Sequence, residues 1–557
     1  MVDPRGGRAP LRAADWRFLL PHPPGGRFEH LVLLGGPPGL TERLVEVGLA
    51  REVSHTIAPG KPADAVVVLH DGRAVPHEIA RCLVPGGVLY YEVDRRWLRF
   101  LSSTPGRVRN SMRKAGLSPT AMYAVVPDFS DHRMYLPLDV PGALRWYVAT
   151  LYNAFGPWQC LLERVLRAVT GLDGRRFAAF ATRLAVTAVA GQARPGSASI
   201  VELPGLPPEV QGRALRPLVL TYGGDRVVVL PFGAGDTQPA AVLKVPKLPG
   251  FNGRTENEQA TLHELWSRLD HPVRRAIPRP LGTLRHGEVT IAVEGYAPGE
   301  PLFRSSERWG VSQRERLDDL RLAAAWLGEF HLQTEVGRPV WDASALSRWV
   351  EQPFGAYGRT FGVTGVEERL FAATRTYAGS LSGTPLPIVM QHRDYTVWNV
   401  ARSGLELAVL DWEGSRPGPA LCDLLHFAIH WYDAVRRAHD EAARQRCFRR
   451  LLFERGRGDP FRGAVHEVLA RYLERLGMSP RLYPLLVVYT WVELALRRAD
   501  QQRLQEETHR DPRQGNPYLG YVAILAEHTG RLLADGGLGG TWSRSDESTA
   551  PALPSRP

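Results

Sequence analysis

The chain of 557 residues is too long for one ordinary core, and its 44% hydrophobic and 23% charged content is that of a folded protein of about two or three domains. The formal charge is +11, yet the basic residues are nearly all arginine and scattered, with no basic block interleaved with aromatics, which argues against a nucleic-acid partner. No run of about 18 apolar residues occurs; the longest candidate, Leu485–Leu496, is short and carries Glu493, which argues against a membrane span.

The first residues include Asp3, Arg5 and Arg8 and no apolar segment with a cleavage site, so a cytoplasmic location is expected. Cys82, Cys160, Cys422 and Cys447 lie far apart, without metal-ligand spacing or a disulfide framework. From about 28 to 140 the pattern alternates strand and helix. His30–Gly35 reads as a strand ending in Gly35-Gly36-Pro37-Pro38-Gly39, Thr41–Ala50 as a helix and Ala63–His70 as a buried strand. Pro76–Leu83 reads as a helix and Val88–Val93 as a further strand after Pro85-Gly86-Gly87. This alternation implies an α/β, doubly wound domain over 1–142.

Within it, Leu83-Val84-Pro85-Gly86-Gly87-Val88-Leu89-Tyr90-Tyr91 resembles the strand-entry segment of class I S-adenosylmethionine methyltransferases. The resemblance implies S-adenosylmethionine as a ligand. Against it, Pro37 and Pro38 remove backbone donors from the glycine loop, and Ser54-His55-Thr56-Ile57 closes the second strand without the carboxylate that family uses for the ribose. A degenerate domain and an active one both stay open.

Residues 143–206 carry Leu, Ala, Trp and Phe at helical spacing and read as a helical connector, with Gly191–Ser199 a linker. From Pro207 three β runs follow, Leu215–Tyr222, Val227–Phe232 and Ala240–Val245, separated by Gly223-Gly224-Asp225 and Gly233-Ala234-Gly235-Asp236. A helix is expected at Thr255–Leu269 and a strand at Val289–Glu294; after Pro301 the chain reads as mainly helical to about Ala534. The Gly-, Ser- and Pro-rich tail, 536–557, is expected to be disordered.

The most informative stretch is Gln391-His392-Arg393-Asp394-Tyr395-Thr396-Val397-Trp398-Asn399, followed by Val409-Leu410-Asp411-Trp412-Glu413. Asp394, Asn399 and Asp411 are three oxygen-bearing side chains on two segments, each led in by apolar residues, Pro387–Met390 and Leu407–Leu410. A hairpin of those two leads would gather them at one edge. That suits Mg²⁺ on a nucleoside triphosphate, because Mg²⁺ takes few protein oxygens beside phosphate and water. Phosphoryl transfer then needs positioning and charge neutralisation more than covalent chemistry.

In their order, these segments resemble the aminoglycoside phosphotransferase and choline kinase superfamily, with its bilobal protein-kinase-like fold, over about 207–535. The resemblance implies an α+β lobe at 207–300 and a helical lobe at 301–535. It implies ATP and Mg²⁺ as cofactors and a small-molecule hydroxyl as acceptor. Lys244, one of only four lysines, matches the strand lysine that contacts the α- and β-phosphates, and Lys247 is its competitor. Glu258 matches the helix glutamate that pairs with that lysine, with Glu256 the alternative. Glu294 and Tyr296 match the inter-lobe linker that binds adenine through its backbone. Asp394 matches the catalytic base, Asn399 and Asp411 the metal ligands, His392 a loop-holding residue and Asp423 a structural acid; His331 reads as a core histidine. Arg393 departs from the glycine usual in aminoglycoside kinases and leaves the acceptor open between an antibiotic, a sugar, an amino alcohol and a metabolite intermediate. Two rival readings are a non-catalytic nucleotide-binding scaffold and a methyltransferase with an auxiliary kinase-like half.

Overall fold

The computed structural model describes residues 11–534 apart from 24, 71, 73, 95–104, 130, 153–154, 173–180, 182, 222, 455–457 and 505–510. The 536–557 tail therefore lies outside the described residues. The chain forms two compact units: 1–311 with 398–415, and 312–397 with 416–557.

The first unit is organised by one twelve-stranded sheet. Its strands are β1 (Phe28–Leu34), β2 (Ala50–Ser54), β3 (Ala63–Val68), β4 (Leu83–Asp94), β5 (Leu117–Val126), β6 (Met134–Pro137) and β7 (Arg183–Ala190). They continue as β8 (Leu215–Leu220), β9 (Arg226–Gly233), β10 (Val242–Pro246), β11 (Pro280–His286) and β12 (Val289–Glu294). The order across the sheet is β11-β12-β10-β9-β8-β6-β5-β7-β4-β3-β1-β2. β2, β1, β3 and β4 run parallel, with helices Leu40–Glu46 and Pro76–Cys82 in their connections. Every other pairing is antiparallel, and β6 joins β8 through Met134–Leu220 and Tyr135–Val219.

Strand alternation sends neighbouring residues to opposite faces, and both faces are apolar along the sheet. Leu31, Leu33, Val67, Val229, Leu243 and Val245 share one core cluster, and Val32, Val66, Val68, Leu218, Leu230 and Phe232 the other. The strands around Lys244 thus share both hydrophobic layers with the N-terminal strands.

Two expectations change. The 143–206 stretch contains helices Pro141–Thr150 and Pro157–Leu172, but also β7, which pairs with both β4 and β5. Buried on both faces, Arg-Leu-Ala-Val-Thr-Ala-Val-Ala lacks the polar alternation that marks a half-exposed strand. The hairpin expected between the leads into Asp394 and Asp411 does not form. Ile388–Gln391 pairs with Glu335–Gly337 and Arg416–Pro419, whereas Val400–Ser403 pairs with Glu406–Val409 and Glu300–Pro301. A lead of four residues satisfies its backbone with whichever edge reaches it, and sequence adjacency does not choose that edge.

The helix Pro141–Thr150 lies hard against the turn after β9. A Cβ on Gly142 would stand 1.6 Å from the Asp236 carbonyl oxygen, so only glycine fits there. Four residues on, Trp146 packs edge-on to Phe232 and its indole N–H donates to Tyr296 Oη over 2.7 Å.

The second unit is mainly helical, with long helices at Gln313–Gln333, Cys422–Val435, Pro460–Arg475 and Tyr483–Leu504. Ser312 and Glu315 form a reciprocal cap that starts the first of these. Among the described residues no helix is long and apolar enough to cross a membrane.

Candidate active site

In the first unit, Lys244 sits mid-strand in β10, 6% exposed, because apolar Leu243 and Val245 on either side fix the strand in the sheet. Its amine pairs with Glu258, on the helix Asn252–Arg268, and with Glu294 Oε1 at 3.0 Å. Glu258 is fully buried, and its Oε1 also accepts the Trp412 amide at 2.9 Å. Burial alone would lower the Lys244 pKa; Glu258 and Glu294 more than offset that and hold the amine charged. The Glu294 carboxyl is also raised, to about 7, because burial outweighs its attraction to Lys244. Lys247 points elsewhere, to Asp15 Oδ2 at 2.7 Å. Glu256 accepts from the Thr290 hydroxyl at 3.2 Å.

Asn399 and Asp411 belong to the same unit. They flank the open end of the Val400–Ser403 and Glu406–Val409 pair, where the Leu410 amide donates to the Asn399 carbonyl over 2.8 Å. Asp411 takes the left-handed conformation, φ 72°, which aspartate tolerates better than most residues. One carboxylate and one amide are hard oxygen donors, the kind Mg²⁺ takes beside phosphate and water, so the residues present fit that ion.

The residue that sequence reasoning missed is Arg226. It opens β9, and its guanidinium contacts Asp411, Glu258 Oε2 at 2.8 Å and Glu413 Oε2 at 3.1 Å. Burial would depress its pKa, but Asp411, Glu258 and Glu413 raise it well above the usual value. The available signal was its place directly after Gly223-Gly224-Asp225, the turn between two of the β runs; Tyr222, just before that turn, lies outside the described residues.

The linker residues divide. Glu294, expected to act through its backbone, also directs a buried carboxylate to Lys244, and Tyr296 is tied to Trp146 through its hydroxyl.

Asp394 belongs to the second unit and is half-buried, and its amide donates to His392 Nδ1 over 3.2 Å. The turn is anchored by Asp423, whose two oxygens accept the amides of His392 at 2.7 Å and Arg393 at 2.8 Å. Burial would raise the Asp423 pKa, but His331, with Nε2 3.5 Å from its Oδ2, and His392 hold it below the usual carboxylate value. His331 is wholly buried between Asp423 and Tyr472. Arg393 has φ 65°, a conformation that costs an L-residue with a Cβ roughly 1–2 kcal/mol, which explains why glycine suits this position. Its guanidinium pairs with Glu493 at 2.6 Å, and Glu493 also pairs with Arg416. A small cleft opens here, lined by Arg393, Asp423, His426, Tyr489 and Glu493 among others.

The N-terminal edge does not fit S-adenosylmethionine. The Ser54 hydroxyl at the end of β2 is engaged with His30 Nε2 at 2.8 Å, and no carboxylate follows it. The space beside Gly36, in the loop after β1, is filled by Leu69 and Leu40, whose methyls would lie 2.7 and 2.9 Å from an added Cβ.

Residues 232–461 match a family model described as the phosphotransferase enzyme family. A comparison with curated protein sequences finds no match. Among solved structures, the chain is similar to a choline/ethanolamine kinase family protein from Mesorhizobium loti, with 14% identity, 60% of this chain and 96% of that chain covered, and a TM-score of 0.36. It is also similar to a microcompartment-associated aminopropanol kinase, with 15% identity, coverage of 58% and 94%, and a TM-score of 0.36. A third is an aminoglycoside phosphotransferase in ternary complex with AMP-PNP and hygromycin B, with 14% identity, coverage of 58% and 94%, and a TM-score of 0.35.

Proposed function

We propose that this chain moves the γ-phosphoryl group of ATP to a hydroxyl of a small molecule, with Mg²⁺, a reading supported by the match of residues 232–461 to the phosphotransferase enzyme family model. The observation that carries this reading is the buried Lys244–Glu258 pair, whose glutamate also holds the backbone beside Asp411. Lys244 would present a compact, permanently charged amine to the α- and β-phosphates, a role a forked guanidinium fills poorly. Glu258 fixes that amine in place. Asn399 and Asp411 would hold Mg²⁺, which supplies charge neutralisation at the phosphates when bound.

Asp394 would accept a hydrogen bond from the acceptor hydroxyl and take its proton as the oxygen attacks phosphorus. The Asp423 cradle under the His392 and Arg393 amides keeps that aspartate's loop in one geometry. Glu294 and Tyr296 would offer backbone groups to the adenine edge, and the Trp146 hydrogen bond steadies that linker. The test is incubation of the full chain with ATP, Mg²⁺ and a pool of hydroxyl-bearing metabolites. The expected result is one compound gaining a phosphoryl mass, with Asp394→Ala slowing that gain about 10²–10⁴-fold. ATP turnover unaffected by Asp394→Ala would overturn the assignment.

A further inference from the structure

The Arg226–Asp411 contact sets a cation on the carboxylate proposed to hold metal. Arg226 is fixed from two other sides, by Glu258 at 2.8 Å and Glu413 at 3.1 Å, and its side chain is only 11% exposed. Its backbone is locked in β9 opposite Pro246. The guanidinium therefore has anchors that do not depend on Asp411. Asp411, by contrast, follows the last strand of a short three-stranded sheet and is itself left-handed. Of the two partners, Arg226 is the one held within a strand of the large sheet.

We propose that Arg226 is the resident counter-cation of Asp411, so that metal-loaded nucleotide binds by drawing this carboxylate away from the guanidinium. The proposal rests on the phosphotransferase reading and goes beyond it by assigning a gate on the metal site. A like charge held beside a cation site lowers its affinity, and here the guanidinium also occupies one of the ligand's acceptors. Removing Arg226 leaves the neighbouring acids in place: Glu258 keeps Lys244, and Glu413 keeps Arg254 at 3.7 Å.

The test is Mn²⁺ binding in the presence of AMP-PNP, followed as loss of the free-ion electron paramagnetic resonance signal, which requires no turnover. Arg226→Gln is expected to tighten Mn²⁺ binding roughly 5- to 150-fold, the range of ordinary coupling between sites. In the Asp411→Asn background the same substitution is expected to have no effect. Unchanged or weaker binding in Arg226→Gln, or an equal gain in both backgrounds, overturns the proposal. Should Arg226→Gln fail to fold, Arg226→Lys, which keeps charge near Glu258 and Glu413 without the fork, is expected to show a smaller gain, and no gain overturns the proposal. Absence of AMP-PNP binding in the unsubstituted protein would instead remove the phosphotransferase reading, and this gate with it.

Discussion

Lys244 Nζ lies 3.0 Å from Glu294 Oε1 and pairs at the same time with Glu258, so one amine serves two buried carboxylates. Burial already holds the Glu294 carboxyl up at about 7 with the amine present. Its folded pKa is raised, so the folded state binds the extra proton and stability falls as pH rises from the ordinary carboxylate range toward about 7. Lys244→Ala removes the cation paired with Glu294 and pushes its pKa higher. The expected cost is about 3–5 kcal/mol at pH 8, as for a broken buried pair, and clearly less at pH 6, where Glu294 can be neutral. Denaturant unfolding at the two pH values checks this; equal costs would contradict it.

Asp15 and Lys247 form a second buried pair, with Arg17 reaching Asp15 Oδ1 at 3.3 Å and the Lys247 carbonyl at 2.8 Å. It ties the short N-terminal helix Leu11–Leu19 to the end of β10. Asp15→Ala strands two buried cations and should cost about 3–5 kcal/mol. Combining it with Lys247→Met should recover part of that loss in a double-mutant cycle; simple additivity would argue against the pairing.

At position 393 the backbone and the side chain pull in opposite directions. Arg393→Ala loses the Glu493 pair and keeps the left-handed strain, whereas Arg393→Gly loses the pair and relieves it. Thermal unfolding should therefore rank the glycine variant above the alanine variant by about 1 kcal/mol. The reverse order would show that the turn is not strained.

Asp433, on the helix Cys422–Val435, is buried with Tyr521 Oη 3.3 Å from its Oδ2, and burial raises its pKa to about 8. A raised folded pKa contributes stability at low pH that is lost as pH climbs toward about 8. The slope should approach about 1.4 kcal/mol per pH unit across that window. Asp433→Asn should flatten it, as read from unfolding curves between pH 5 and about 8.

Much of the candidate site could be picked out because its residues lie in short, local sequence patterns. Lys244 stood out as a lysine in an arginine-rich chain, within an apolar strand, and Asn399 and Asp411 each sit beside a short apolar run. What could not be read was long-range. Arg226 meets Asp411 across 185 residues, and the Asp15 partner that holds Lys247, the competitor of Lys244, was hidden in the same way. The continuity of the sheet through β6 and β8 was equally hidden, because strand pattern reports burial and not which edge a strand joins. β7 went unread for the related reason that a strand covered on both faces looks like any apolar segment.

The most direct measurement is calorimetric titration of AMP-PNP, with and without Mg²⁺, into the unsubstituted protein and Asp411→Asn. Mg²⁺ should tighten nucleotide binding in the former, and that enhancement should vanish in the latter while metal-free binding persists. Enhancement that survives Asp411→Asn, or no nucleotide binding in the unsubstituted protein, would contradict the account.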